Sequence, residues 1–130
     1  MDTLLMPLRI PSTWAVLYNS FGDVDPIVRD GSIVNFEFYK EDLLWMQRIQ
    51  ATSTGWTTYP DGHILDLGWY PDSDPKGTYR IVLIRGDWSN ELLKFESKDR
   101  QKIRAVIERC LNLVMQGTDD QEISRLVTLE

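Results

Sequence analysis

The sequence has few of the residues on which metal sites, disulfides and self-contained catalytic triads depend. Its 130 residues include one cysteine, Cys110, and one histidine, His63. A single cysteine excludes an intrachain disulfide. Any structural zinc site or Cys/His or Ser/His/Asp triad would depend on these two residues. Gly-rich phosphate-binding loops of the Walker and Rossmann types are also absent. We therefore expect no catalytic set, no cofactor and no bound metal.

Long apolar runs are lacking as well. No stretch approaches the roughly 20 apolar residues of a membrane-spanning helix. Residues 1–9 contain an early acid and no basic stretch ahead of their apolar residues, which is untypical of a secretion signal. These features predict a cytoplasmic protein with a reduced cysteine.

Positive charge is scarce in the first part of the chain. The whole sequence has 14 Lys and Arg against 20 Asp and Glu, a net charge of -6. Residues 1–75 hold 11 of the acids and 4 of the bases, whereas residues 76–130 hold 9 acids and 10 bases. This balance disfavours nucleic acid and anionic membranes as partners, because both are bound through basic residues. Basic proteins, cations and neutral ligands remain.

Apolar patterning predicts a sheet followed by a helix. A composition of 42% hydrophobic and 26% charged residues is typical of a folded globular protein, and the length suits one domain over residues 1–130. Period-2 or continuous apolar runs predict strands. They cover residues 14–19, 32–38, 43–49, 63–70, 78–85 and 91–96. The run at 43–49 also fits a short helix, but its brevity and its Thr/Ser/Gly ending favour a strand.

The end of the chain has the 3.6-residue period of an amphipathic helix over residues 97–116. Ser97 is expected to be the N-cap, and Gly117 is expected to end the helix in the left-handed conformation. A short second helix would begin at Thr118 or Asp119. Strands first and a long helix last predict an α+β fold: a five- or six-stranded, mainly antiparallel sheet with the C-terminal helix packed on one face.

One acid lies inside an apolar strand and is a candidate general base. An apolar pocket would raise the pKa of Asp66. A small-molecule or metal-dependent enzyme would then have a site of Asp66, His63 and Tyr70 on the sheet face opposite the helix. A turn or edge position accounts for Asp66 equally well, and His63 is expected to be an exposed loop residue. Cys110 lies on the apolar side of the helix and is expected to be a buried hydrophobe.

Aromatic residues are numerous, with five Trp and five Tyr. Trp14, Trp45 and Trp69 lie in predicted strands and are expected in the core. Other rings lie beside acids in the turn-like segments 21–26, 56–62 and 69–75. The residues concerned are Asp23, Asp25, Trp56, Tyr59, Asp61, Tyr70, Asp72 and Asp74.

These eight residues predict a surface that binds a basic protein. The rings would supply anchors, and the carboxylates would complement Lys and Arg. Two structural roles fit the same residues: Asp, Pro and Gly are ordinary turn residues, and the rings would equally cap the ends of the sheet. The acid pairs also suit a calcium ion, although the Gly and distal Glu of an EF-hand loop are absent.

Three segments carry a family resemblance: P-S-T-W-A-V-L-Y-N-S-F-G-D-V-D-P (11–26), I-L-D-L-G-W-Y-P (64–71) and G-T-Y-R-I-V-L-I-R (77–85). In these the chain resembles small bacterial immunity proteins encoded beside polymorphic or contact-dependent growth-inhibition toxins. The resemblance implies a cytosolic, non-enzymatic inhibitor that binds a cognate toxin domain and blocks its active site or substrate surface. Against a basic nuclease toxin, the acidic surface would mimic the charge of nucleic acid. A structural or adaptor domain whose sheet edge pairs with another chain is a third possibility.

Overall fold

A computed structural model describes residues 4–128 of the chain. The start of the segment considered for a secretion signal, residues 1–3, lies outside the described residues. The strands are β1 (Trp14–Asn19), β2 (Val28–Arg29), β3 (Ser32–Ile33), β4 (Leu44–Thr52), β5 (Gly55–Thr58), β6 (His63–Tyr70), β7 (Thr78–Arg85) and β8 (Asp87–Ser97). A 3-10 helix covers Phe36–Phe38, and the α-helices are α1 (Arg100–Met115) and α2 (Asp120–Thr128).

The main sheet has six strands and is antiparallel throughout. Its order is β1-β4-β6-β7-β8, and β5 pairs with the far end of β4. Leu65, Leu67 and Trp69 of β6 are buried in a core shared with the apolar sides of α1 and α2. This arrangement confirms the predicted α+β fold with the C-terminal helix on one face. We call the opposite face, which neither helix covers, the open face.

The predicted strand at residues 32–38 is wrong in extent. Only Ser32–Ile33 is extended, and it pairs with Val28–Arg29 across a turn at Asp30 and Gly31, both of which have positive φ. The Asn35 side chain accepts a hydrogen bond from Ile27 N–H at 2.8 Å and donates one to the Asp25 carbonyl at 3.0 Å. The alternating apolar residues at 34–38 therefore do not extend the strand, because the Asn35 side chain forms its hydrogen bonds within the loop instead.

The boundary between β8 and α1 also differs from the prediction. Strand β8 runs from Asp87 to Ser97, so Ser97 is a strand residue and not the N-cap. The cap is Asp99, whose carboxylate accepts hydrogen bonds from the Gln101 and Lys102 N–H groups at 2.9 and 3.3 Å. Gly117 has φ +80°, as predicted for the end of the helix.

Candidate functional site

The eight residues predicted to bind a partner lie at two opposite ends of β6. The 21–26 and 69–75 loops both contact Tyr39, whose hydroxyl donates to the Val24 carbonyl at 2.8 Å and whose carbonyl accepts from Ser73 N–H at 2.7 Å. Trp56, Tyr59 and Asp61 lie beyond the other end, before His63. Eight residues of extended chain span roughly 25 Å. The structure therefore does not gather these residues into one patch.

Asp23 and Asp25 are held by an arginine of α1. The Arg100 Nε lies 3.0 Å from an Asp23 carboxylate oxygen, and another of its nitrogens contacts Asp25. These ion pairs attach the 21–26 loop to the first residue of the helix. Their charge is therefore partly neutralised within the chain.

Asp72 and Asp74 shape their own loop. Asp72 accepts hydrogen bonds from the Ser73 hydroxyl at 2.8 Å and from Glu41 N–H at 3.0 Å. These bonds, the one from Ser73 above all, hold the pKa of its carboxyl below the usual value. Asp74 accepts from Lys76 N–H at 2.8 Å, and its carbonyl accepts from the Trp69 indole N–H at 2.8 Å. Turn chemistry thus accounts for both side chains.

The β4–β5 hairpin carries the third predicted segment. Every residue from 51 to 61 is exposed, and the Trp56 side chain is 63% exposed. The Arg48 guanidinium lies over the Tyr59 ring, 5.3 Å from its centroid. The Asp61 carbonyl accepts from Arg85 Nε–H at 3.2 Å.

His63 is buried, which corrects the expectation of an exposed loop residue. It is 8% exposed, and its Nε2 lies 2.8 Å from an Asp120 carboxylate oxygen. The other oxygen of Asp120 accepts from Arg85 at 2.7 Å. Burial lowers the pKa of His63, and the contact with Asp120 opposes this shift. His63 thus joins the sheet to α2, a contact that sequence could not reveal because Asp120 is 57 residues away.

The candidate catalytic group of Asp66, His63 and Tyr70 is not assembled. Side chains alternate between faces along a strand, so His63 lies on the helix side, whereas Asp66 and Tyr70 lie on the open face. Cys110 is fully buried, as predicted, and burial raises the pKa of its thiol to about 12.

Aromatic rings collect on the open face. Tyr18, Trp45 and Asp66 follow one another across β1, β4 and β6, in register. The rings of Trp45 and Trp88 lie 5.9 Å apart. Tyr18 is 50% exposed and Trp88 57% exposed, whereas Trp45 is half-buried. Trp45 is therefore not part of the core, contrary to the prediction, whereas Trp14 and Trp69 are.

Tyr18 and Trp88 are absent from the predicted surface for identifiable reasons. Trp14 lies on the helix side, where its indole N–H donates to the Leu111 carbonyl at 3.2 Å. Strict alternation would place Tyr18 on that side too. A register shift between Val16 and Tyr18 reverses the direction. Trp88 belongs to the part of β8 that the predicted strand omitted.

Asp66 is the chemically unusual residue of this face. It is 7% exposed, and its carboxylate has no hydrogen-bond or ion-pair partner within residues 4–128. Burial, with a smaller contribution from the charge of Asp42, raises the pKa of Asp66 to about 6. Asp66 lines an open pocket of about 450 Å³ together with Tyr18, Asp42, Leu44 and Trp45.

A glycine explains how Asp42 comes to this pocket. A Cβ atom added at Gly68 would lie 2.0 Å from the Glu41 carbonyl oxygen, so the chain passes in close contact over this glycine. Beside it, Trp69 N–H donates to the Lys40 carbonyl at 2.8 Å. The absence of a side chain at Gly68 therefore lets the segment before β4 lie against β6 and bring Asp42 near Asp66.

The described residues provide neither a metal site nor a membrane-spanning helix. Residues 4–128 contain no group of three or more His, Cys, Asp or Glu side chains arranged to hold a metal ion. Neither described helix is long and apolar enough to cross a membrane.

No family model, curated protein or solved structure matches this chain. The resemblance to immunity proteins therefore stays a prediction.

Proposed function

We propose that this protein is a non-enzymatic inhibitor that binds a basic protein domain through the open face of its sheet, as the resemblance to toxin immunity proteins implies. The observation that carries the proposal is the group of exposed aromatic rings beside Asp42 and Asp66 on a face that neither helix covers. We place this activity in the cytosol, with a toxin domain such as a basic nuclease as the partner.

The aromatic rings support a protein interface. Trp and Tyr dominate the residues that contribute most to binding between proteins. On the open face, Tyr18, Trp45 and Trp88 present ring surface to solvent from three different strands. Contiguous exposed apolar surface of this kind is typical of an interaction site.

The charges around these rings support a basic partner. Asp42 and Asp66 lie at the pocket, and the nearest cation of β7, Arg80, is engaged by Glu96 at 3.1 Å and lies over the Tyr70 ring. With a net charge of -6, the protein would attract a positively charged domain over several ångströms and orient it before contact.

The proposed surface keeps part of the predicted one. The Tyr70 hydroxyl donates to the Glu41 carbonyl at 3.4 Å, and Asp72 accepts from Glu41 N–H, so both residues border the open face next to Asp42. Asp23 and Asp25 are excluded because Arg100 engages them. The hairpin residues Trp56, Tyr59 and Asp61 are excluded because, among the described residues, none of them lines the Asp66 pocket or pairs with the Trp45 ring.

The test is capture of the C-terminal domain encoded by the adjacent upstream gene. Purified protein is immobilised, the domain is added, and the toxicity of the domain is measured with and without equimolar protein. We expect one-to-one capture and loss of toxicity. Failure of both with the correctly folded domain would overturn the inhibitor proposal.

A second candidate is an enzyme that uses Asp66 as a general base. The observation that favours it is the pKa of about 6 at a residue that opens into a pocket. The described residues place no histidine beside Asp66, which leaves Tyr70 as the other titratable group of β6 on this face. A small molecule that raises the melting temperature of the protein, but not that of Asp66→Asn, would support this function. A broad metabolite panel without such a shift would count against it.

A further inference from the structure

Asp66 lacks the cationic partner that Asp120 and Asp23 have. Asp120 is engaged by His63 and Arg85, and Asp23 by Arg100. Asp66 is more deeply buried than either, and no donor or cation meets its carboxylate within residues 4–128. A buried carboxylate without a partner is costly in the free protein. A cation that entered the pocket would relieve this cost.

The residues next to Asp66 do not stabilise its negative charge either. Trp45 and Val82 lie directly opposite it on the two adjacent strands. Asp42, across the pocket, is a second acid. Two carboxylates therefore line one pocket, and neither forms an ion pair within residues 4–128.

The remaining walls are Leu44 and two aromatic rings, and the rings select among cations. Calcium takes six to eight oxygen ligands, many more than two carboxylates provide. A guanidinium group is planar and stacks on aromatic rings while it donates hydrogen bonds to carboxylates. Tyr18 and Trp45 offer the rings, and Asp42 and Asp66 offer the acceptors.

The protein already uses this combination on the same face. The Arg80 guanidinium lies 4.4 Å from the centroid of the Tyr70 ring and pairs with Glu96 at 3.1 Å. In that cluster one arginine is held between a ring and a carboxylate. The Asp66 pocket has the ring and carboxylates of such a cluster but no arginine.

We propose that the pocket of Tyr18, Asp42, Trp45 and Asp66 receives the guanidinium group of an arginine side chain from the basic partner. The inference rests on the proposed function, because it names the chemical group by which the open face recognises that partner. Asp66 is the central acceptor, Asp42 is the second, and the two rings form the walls.

The pocket is testable without the partner, using N-acetyl-arginine methylamide as the probe. N-acetyl-citrulline methylamide has nearly the same shape but a neutral urea group, so it is the matched control ligand. The probes are titrated into the isotopically labelled protein, and the five Trp indole N–H signals are followed by NMR. The Trp45 signal is assigned with Trp45→Phe.

We expect the arginine probe to shift the Trp45 signal in a saturable way, with a Kd of about 1–10 mM, a range suited to a single side chain. The Trp56 signal, from the far hairpin, should stay unchanged. The citrulline probe should shift neither. No saturable shift, an equal shift with citrulline, or an equal shift of Trp56 would each overturn the proposal.

Variants separate the pocket from general acidity. Asp66→Asn should weaken binding of the arginine probe by about fivefold or more, because a charge-assisted acceptor is lost. Asp61→Asn removes one exposed carboxylate that precedes β6 and does not line the pocket, and it should change the affinity by less than about twofold. If Asp66→Asn disturbs the spectrum elsewhere, the exposed Asp42→Asn is used instead. It should also weaken binding of the arginine probe. Equal effects of the pocket and control variants would overturn the assignment.

The two proposals fail separately. Capture of the toxin domain by a protein that does not bind the arginine probe would overturn the pocket and leave the inhibitor function. Probe binding without capture of the domain would leave a guanidinium pocket and overturn its role in inhibition.

Discussion

His63 and Asp66 lie three residues apart on β6 and face opposite sides of the sheet. His63 contacts Asp120 of α2 on the helix side, whereas Asp66 opens into the pocket on the open face. These two buried side chains therefore differ in role. His63 attaches helix α2 to the sheet, whereas the Asp66 carboxylate has no partner within residues 4–128.

The stability of Asp66→Asn relative to the wild type should be greater at neutral pH than at acid pH. Because the pKa of Asp66 is raised from 3.8 to about 6 in the folded state, folding disfavours the ionised form. Well below pH 3.8 the group is protonated in both states, so its charge makes no difference. As pH rises from 4 to 6 the wild type loses stability that Asp66→Asn retains, up to about 3 kcal/mol.

The measurement is urea unfolding of both proteins from pH 4 to pH 8. The difference in unfolding free energy between the two proteins is compared across this range. Its change with pH reports the charge of Asp66, since any cost of burying the asparagine amide is the same at each pH. A difference that does not vary over this range would show that Asp66 has an ordinary pKa.

Breaking the contact between the sheet and α2 should destabilise the protein. Asp120→Asn leaves His63 and Arg85 without their shared carboxylate, and we expect a loss of about 1–3 kcal/mol at pH 7.5, as for hydrogen bonds to a charged group. Glu122→Gln is the control on the same helix, because it removes an exposed pair with Arg125 and should cost less than about 0.5 kcal/mol. Urea unfolding measures both, and equal losses would contradict a special role of Asp120.

A methyl group at Gly68 should disrupt the pocket. Its Cβ would lie 2.0 Å from the Glu41 carbonyl oxygen, a backbone atom that no rotamer change moves away. We expect Gly68→Ala to cost about 2–4 kcal/mol in unfolding free energy, as in other overpacked sites. If the variant folds, the Trp45 indole signal should shift, since Asp42 moves with this segment. Wild-type stability and an unchanged Trp45 signal would contradict the close approach.

The core side of the fold follows from local patterns. Burial within a single element can be predicted from the alternation in β6, the apolar run of β7 and the helical period of α1. The sequence was therefore sufficient to predict the sheet and the helix on one of its faces. The open face depends on relations between elements. Tyr18 is there because of a register shift, Asp42 because of the close approach at Gly68, and Trp88 because β8 begins earlier than its apolar run. Asp66 alone signalled the site from sequence, since an acid within an apolar strand is unusual.

Two exposed tryptophans, one on the open face and one on the β4–β5 hairpin, should differ in their effect on partner binding. Trp88→Ala removes a ring of the open face and should weaken binding of the toxin domain by about tenfold to a hundredfold, the range of interface anchors. Trp56→Ala removes a ring of similar exposure from the β4–β5 hairpin and should change the affinity by less than about twofold. Isothermal titration calorimetry measures both. The reverse ranking would move the interface to the hairpin.

Charge reversal at the border of the open face should act mainly on the rate of association. Glu41 is exposed, and its side chain makes no hydrogen bond or ion pair within residues 4–128. Glu41→Lys therefore changes the charge with little change of structure. Asp72 is less suitable, because its hydrogen bonds shape its loop. A border charge steers the partner, and its reversal should lower the association rate by about twofold to tenfold at low salt and less at high salt. Trp88→Ala should instead raise the dissociation rate, because a desolvated anchor is lost. Surface plasmon resonance at two salt concentrations separates these effects, and an association rate that is independent of both Glu41→Lys and salt would contradict electrostatic attraction of a basic partner.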